Sequence, residues 1–401
     1  MLLTLHFVSA PLISNFSTSS SPPVISAPPP ALGEEEEKNK CGEAMVPILV
    51  AAVQVLAGLV GVSEGQGLVP GVIIFGDSTV DVGNNNHLLT LVKANFPPYG
   101  RDFPHHSPTG RFCNGKLVTD FVVEVLGFTT HPPAYLSKEA TGNNLLNGAN
   151  FASASSGYLD ATASLYQAVS LTRQLRYFEQ YQAKVKSIAG KATATALFAD
   201  SIYVLSAGSS DFLQNYYINP LLRAIYSPDQ FSGLLLQSFT TFVQELHDMG
   251  ARRIGVTSLP PIGCLPAAIT LFGGGDGDGD ACVARLNDDA VAFNEKLDAA
   301  ARALKRNHAD LKLVVFDVYG PLLKLIRNPA DGVVDGKGFL EARRACCGTG
   351  TIETSLLCNA ASPGTCGNAT GYVFWDSFHP SEAANSVLAD ALIIQGIDLI
   401  L

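Results

Sequence analysis

Val72-Ile73-Ile74-Phe75-Gly76-Asp77-Ser78-Thr79-Val80-Asp81-Val82-Gly83-Asn84-Asn85-Asn86 is the stretch whose reading decides the fold. Its first four residues are apolar, β-branched or aromatic, with no polar alternation. Such a run reads as a strand buried on both faces, as in a parallel sheet. Gly76 ends it, and small or polar residues follow at once. A serine at the carboxyl end of a buried strand stands where open α/β sheets place their ligands. Ser78 is the candidate nucleophile on that ground. Gly, Asp and Ser also dominate ordinary turns, so its partners further along the chain must decide.

Three later segments repeat the buried-strand pattern: Ile202-Tyr203-Val204-Leu205, Ile254-Gly255-Val256, and Leu311 to Phe316. Between them, apolar residues recur at helical spacing: Leu117, Phe121 and Val125; Leu171, Leu175, Phe178 and Val185; Leu234 to Met249; Leu286, Phe293, Leu297 and Leu304. A short helix is expected over Leu322 to Ile326. This alternation argues for one parallel sheet covered by helices on both faces. Trp375-Asp376-Ser377-Phe378-His379-Pro380-Ser381 precedes a last helical pattern ending near Ile394. Pro380 suits a first helical turn, which leaves His379 on the loop before it. Asp376, three residues back, is placed to bond one ring nitrogen and leave the other facing a nucleophile. Ser early with Asp and His late is an order that nucleophile triads use. Asp102 and His105 share the spacing but lie in a Pro-rich loop. His87, His106, His131, His247 and His308 have no such neighbour and read as surface or packing residues.

Taken together, several blocks resemble the plant form of the GDSL esterase/lipase family, part of the SGNH hydrolases. They are Phe75-Gly76-Asp77-Ser78 with Asp81-Val82-Gly83-Asn84-Asn85, the Pro97 to Pro104 and Pro108 to Gly115 loops, Gly148-Ala149-Asn150-Phe151-Ala152, Gly208-Ser209-Ser210-Asp211, Leu259 to Pro266, and Asp376 to His379. The resemblance covers nearly everything from Val72 onward. It implies an α/β fold, a flavodoxin-like three-layer α/β/α sandwich with a mainly parallel central sheet, in a single domain over 67–401. It implies Ser78, Asp376 and His379 as catalytic residues, with the backbone N–H groups of Ser78 and Gly148 in the oxyanion hole. Ser210 departs from the pattern, because it stands where the family has an oxyanion-hole Asn. A serine hydroxyl is one donor, shorter than a carboxamide, and an oxyanion donor is worth about 2.7–4 kcal/mol. No metal and no cofactor are called for.

The front of the chain does not read as fold. Ser and Pro crowd residues 17–30 and Glu34 to Glu37 is a charge run, so 1–44 is expected to be a disordered extension. Residues 45–66 are apolar with small residues at the end, as in a signal peptide or a short hydrophobic segment. A signal belongs at an amino terminus, so Met45 is a candidate true start, with 1–44 upstream of it. Gly61-Val62-Ser63-Glu64-Gly65 matches a nucleophile elbow, which needs a strand before it and a helix after it; it has neither. Asp276-Gly277-Asp278-Gly279-Asp280 hints at a calcium loop, but the sixth and twelfth positions, Ala281 and Asn287, are not those of an EF-hand. With 47% hydrophobic and 15% charged residues, the chain can build a sizeable core. A net charge of −10 with no basic block argues against nucleic acid.

Of eight Cys, Cys41 falls in the front extension. The spacings lack Cys-x₂-Cys pairs, which argues against zinc, and a secretory signal favours disulfides. Cys264–Cys282 is expected across the Asp/Gly loop, and two bridges among Cys346, Cys347, Cys358 and Cys366 in one of three pairings. Cys113 is left free. Asn368-Ala369-Thr370 is a glycosylation sequon. The leading reading is a secreted serine esterase or lipase, extracellular or in the cell wall, acting on acyl or acetyl esters of lipids, cell-wall polymers or secondary metabolites without a stable membrane span. Its alternatives are an acyltransferase to cuticle or cell-wall hydroxyls and an impaired binding protein.

Overall fold

The computed structural model of the protein describes residues 67–273, 282–334 and 336–401. The expectations for 1–44 and 45–66, the Gly61–Gly65 motif and the Asp276–Asp280 loop lie outside these residues. Five parallel strands, β1 (Val72–Gly76), β2 (Gly148–Asn150), β3 (Ile202–Ser206), β4 (Arg253–Thr257) and β5 (Lys312–Phe316), form one sheet in the order β2-β1-β3-β4-β5. This is the doubly wound flavodoxin-like order, whose switch point lies between β1 and β3. The fold class expected from the sequence is the one observed. β1 and β3 run in register from Val72↔Ile202 to Gly76↔Ser206, so their carboxyl ends finish level.

Successive side chains on a strand point to opposite faces. Ile73, Phe75, Tyr203 and Leu205 enter a core shared with α2 (Leu171–Ala189), α3 (Pro228–Asp248) and α4 (Ala284–Asn307) through Phe178, Phe239 and Phe293. Phe75 stacks on Phe151 at 5.1 Å and meets Phe178 edge-on at 5.7 Å. Such a fully buried ring is worth about 3–5 kcal/mol against alanine. Val72, Ile74, Ile202 and Val204 face the other way, toward α1 (Val118–Val125) and the carboxyl-terminal helix. Side-chain caps set the helix starts: Ser170 accepts from Arg173 N–H, and Ser227 forms a capping box with Gln230.

Three features differ from the sequence reading. The Gly148 run, in which no strand is expected, begins with the edge strand β2, which is three residues long and too short and small to signal itself. A second, two-stranded parallel sheet joins β6 (Glu341–Ala345) to β7 (Tyr372–Phe374). Its charged Glu-Ala-Arg-Arg-Ala strand has no apolar run to announce it. Pro380 precedes the last long helix rather than entering it. That helix runs Glu382–Gln395, and Ser381 caps it by accepting from Ala384 N–H. Between α4 and this helix lies α5 (Tyr319–Arg327). The chain's last helix is then α6 (Glu382–Gln395) followed by a single turn, α7 (Ile397–Ile400). Disulfides join Cys264 to Cys282, Cys346 to Cys366 and Cys347 to Cys358, which selects one of the three pairings. Cys113 is free and buried, and burial pushes its thiol far up. Among the described residues no helix is long and apolar enough to cross a membrane.

Candidate active site

The turn after β1 is built on a glycine. Gly76 has φ +138°, and a Cβ there would stand 2.0 Å from the Ser206 carbonyl oxygen, so only glycine lets the two strand ends close. Gln174 pins the same point from α2: its Oε1 accepts from Gly76 N–H and its Nε2 donates to Gly76 O, each at 2.9 Å. Asp77 then accepts from the N–H and hydroxyl of Thr79, while burial raises its carboxyl above the usual range. Ser78 emerges between these constraints with a backbone N–H that has no acceptor among the described residues.

The loop after β7 supplies the partners. Asp376 Oδ1 accepts from the N–H groups of Phe378 (3.0 Å) and His379 (2.9 Å), which folds the three-residue spacing into a tight turn. The His379 ring then comes back onto the same oxygen, Nδ1 to Oδ1 2.7 Å. Its Nε2 stands 2.7 Å from Ser78 Oγ, across 301 residues of sequence. With the proton on Nδ1 donated to Asp376, Nε2 is left to accept from the serine hydroxyl. The turn is held by its surroundings: Cys346 N–H donates to Phe374 O and Cys347 N–H to Trp375 O, extending the β6–β7 ladder through the two cystines.

The second oxygen of Asp376 was not provided for by the sequence. Oδ2 accepts from the Tyr99 hydroxyl at 2.7 Å and from Thr354 Oγ1 at 3.0 Å. Tyr99 in turn accepts from Ser355 N–H at 2.7 Å. Burial and the Asp376 carboxylate hold its phenol well above its ordinary range, so it stays a donor. Tyr99 stands 277 residues from Asp376, and nothing local in its Pro-Pro-Tyr loop points there. Replacing Tyr99 with Phe removes one donor to Asp376 without touching the serine. The expected result is about a tenfold lower kcat with KM little changed, the usual worth of one charge-assisted hydrogen bond, read by steady-state hydrolysis of p-nitrophenyl butyrate.

Gly148 is a correction. It pairs with Val72 at the start of β1, six residues before Ser78, and its N–H donates to Leu145 O. It is a glycine because a Cβ would stand 1.9 Å from the Val72 carbonyl oxygen, a packing role. The part of this block that passes the carboxyl end of β1 is further on, where Ser153 N–H donates to Gly76 O. There Ser155, at φ +65°, presents a backbone N–H with no acceptor among the described residues. The Asp81, Asn84 and Asn85 of the first block tie this loop down. Asp81 accepts from Gly83, Asn84 and Ala154 N–H, and Asn84 donates to the carbonyls of Asn150 and Ala152. Burial pushes the Asp81 carboxyl up to about 6.

Ser210 is buried and lines the same cavity as Ser78 and His379. Behind it a π-helical turn, Asp211–Tyr216, carries Asp211, which accepts from Tyr158 N–H, Leu159 N–H and the Thr162 hydroxyl. Burial raises Asp211 to about 7. Gln214, on the same turn, also lines the cavity, with a buried Oε1 that has no partner among the described residues. Asp102 and His105 do not come together: Asp102 accepts from Asn114, and His105 is exposed. His131 and His247 do have carboxylate partners, Glu124 at 3.1 Å and Asp310 at 2.9 Å. These are outlying pairs that sequence spacing could not show. Asn368 is exposed and accepts from Thr370 N–H and its hydroxyl. Among the described residues no group of three or more His, Cys, Asp or Glu could hold a metal.

The sequence model of the family described as GDSL-like lipase/acylhydrolase matches residues 72–392. Two proteins of Arabidopsis thaliana, GDSL esterase/lipase At5g03810 and GDSL esterase/lipase At5g03820, are 62% and 61% identical to the chain over 340 residues. Each alignment covers 85% of this chain and 94% of the relative. A third, GDSL esterase/lipase APG of the same plant, is 58% identical over 334 residues, 83% of this chain and 92% of its own length. With the Ser78–His379–Asp376 line and the sheet order already in place, these likenesses show that the chain belongs to the GDSL lipase/acylhydrolase family of ester-hydrolysing enzymes.

Proposed function

We propose that Ser78, His379 and Asp376 form the catalytic triad of a secreted carboxylic ester hydrolase that works through an acyl-enzyme. The observation that carries this reading is the unbroken line from Asp376 through His379 to Ser78, each link 2.7 Å long. A serine hydroxyl becomes an effective nucleophile when a base within hydrogen-bond reach takes its proton. Ser78 Oγ attacks the ester carbonyl carbon as His379 Nε2 receives that proton. The imidazolium formed is stabilised by Asp376 and returns the proton to the departing alcohol oxygen. Water, deprotonated by the same nitrogen, then releases the acid. Acid–base catalysis of this kind contributes roughly 10²–10⁴-fold.

The oxyanion that forms in each half-reaction is assigned to the N–H of Ser78, with the free N–H of Ser155 and the hydroxyl of Ser210 as the further donors in reach of the same strand ends. Secretion is supported by the three disulfides and by the exposed Asn368 of the sequon. The domain assigned to this chemistry is 67–401, preceded by a leader.

The test is covalent capture. A fluorophosphonate incubated with the folded protein is expected to add one phosphonyl group to the peptide that holds Ser78, while p-nitrophenyl butyrate yields butyrate. If an added alcohol diverts most of the acyl group into a new ester, the enzyme is a transferase on the same triad. A folded protein that takes no label overturns the proposal and leaves a binding protein.

A further inference from the structure

The two faces of the central sheet are packed differently. One is filled by the stacked rings around Phe75. The other presents short β-branched side chains, Val72, Ile202 and Val204, and the ring of Phe316 is drawn aside over Gly255, where a Cβ would stand 2.1 Å from it. Helix α1, helix α6 and the final turn α7 cover this face without filling it. A cavity of about 180 Å³ remains between them.

Its polarity is graded. The only ionisable residues in its lining are Asp77 and His379, both at the Ser78 end. Toward the amino end of β1 the walls are hydrocarbon: Val72 and Ile202 on the sheet, Val122 on α1, Leu392 on α6, and Leu399 and Ile400 on α7. β1 itself, Val72–Gly76, spans roughly 13 Å at about 3.3 Å per residue, and the turn that carries Ser78 stands beyond its carboxyl end. An apolar cavity of this kind binds apolar ligands rather than water.

We propose that this cavity is the acyl channel of the enzyme: it takes the unbranched hydrocarbon chain of a long-chain fatty acyl ester, with the ester carbonyl at Ser78 and the chain running under the sheet toward α7. The proposal rests on Ser78 being the nucleophile. The acyl group, and not the alcohol, is assigned to the interior because it stays bonded to Ser78 Oγ through both half-reactions. The alcohol has to leave before water or another acceptor can enter, so it belongs at the polar mouth. Length selection then follows from burial, with each added methylene worth up to roughly fourfold in kcat/KM until the chain reaches the far wall.

The experiment compares p-nitrophenyl acetate, butyrate, laurate and palmitate on the wild type and on Val122→Trp and Val204→Phe, which fill the channel from opposite walls. The laurate-to-acetate ratio of kcat/KM is expected to fall by about 50-fold in each, the worth of about three methylenes. An unchanged ratio in the folded variants overturns the channel. A second measurement does not depend on turnover: cis-parinaric acid is expected to bind the Ser78→Ala protein, to be displaced by palmitate, and to bind Val122→Trp much more weakly. No binding by Ser78→Ala, with acetate hydrolysis intact in the wild type, rejects the channel and leaves the nucleophile standing. Binding without hydrolysis of any ester or fluorophosphonate labelling rejects the nucleophile and keeps the cavity as a fatty-acid site.

Discussion

Ser78→Ala is expected to lower kcat for p-nitrophenyl butyrate by roughly a millionfold, the loss seen when a triad nucleophile is removed from a serine hydrolase. The size follows from the geometry. Ser78 Oγ is the atom His379 Nε2 faces at 2.7 Å, and no other hydroxyl is bonded to that nitrogen. With the serine gone, His379 can still deprotonate water, but the water is not held in line with the carbonyl, so only the oxyanion donors and substrate binding still act. The fold is expected to survive, because the hydroxyl bonds nothing else and the turn is held by Gly76, Gln174 and Asp77. Steady-state rates and a thermal melt on the same sample check both halves. A variant that keeps more than about 1% of wild-type kcat with an unchanged melt would mean that another group attacks.

Asp376→Asn is expected to have the next largest effect, about 10⁴-fold in kcat. The carboxylate accepts five hydrogen bonds: Phe378 N–H, His379 N–H and the His379 ring on Oδ1, and Tyr99 and Thr354 on Oδ2. An amide offers one acceptor oxygen in place of two. If its oxygen keeps the Oδ1 position, its NH₂ meets the Tyr99 and Thr354 hydroxyls, which can no longer donate there. If it turns over, the NH₂ faces Nδ1 and selects the tautomer with the proton on Nε2, the wrong nitrogen for taking a proton from Ser78. Either arrangement breaks buried hydrogen bonds, those of the two hydroxyls in the first and those of the Phe378 and His379 N–H groups in the second, so a lower melting temperature is expected with the lost rate. The pH–rate profile separates this from simple unfolding. The rate should recover partly at high pH, where hydroxide can take over the base's role, and a structural failure would not recover.

Much of this site was legible because its chemistry is local. Ser78 follows a strand that announces itself by an unbroken apolar run, and Asp376 reaches His379 across a single turn. The four longest strands of the sheet were visible for the same reason. What was missed depends on distance or on the absence of a side chain. Tyr99 and Thr354 act on Asp376 from other loops, and no spacing rule connects them. Gly148 was placed at the oxyanion by a motif, yet its register with Val72 puts it at the wrong end of the strand. Register is a property of the pairing and not of the run of residues. Ser155 was overlooked because the donor proposed there is a backbone N–H, which every residue has, made available by a positive φ that its own side chain does not favour. The β6–β7 pair escaped because β6 is mostly charged and β7 only three residues long, so neither gives a hydrophobic period.

The separation of 301 positions between Ser78 and His379 also fixes when the enzyme comes into being. At about 5–20 residues per second of synthesis, the serine is made roughly 15–60 s before its base. Through that interval it is an ordinary alcohol on a growing polypeptide, unable to react with the esters around it. On the proposed triad, turnover is expected only once the last loop has closed over the first strand, so activity should appear when synthesis is nearly complete.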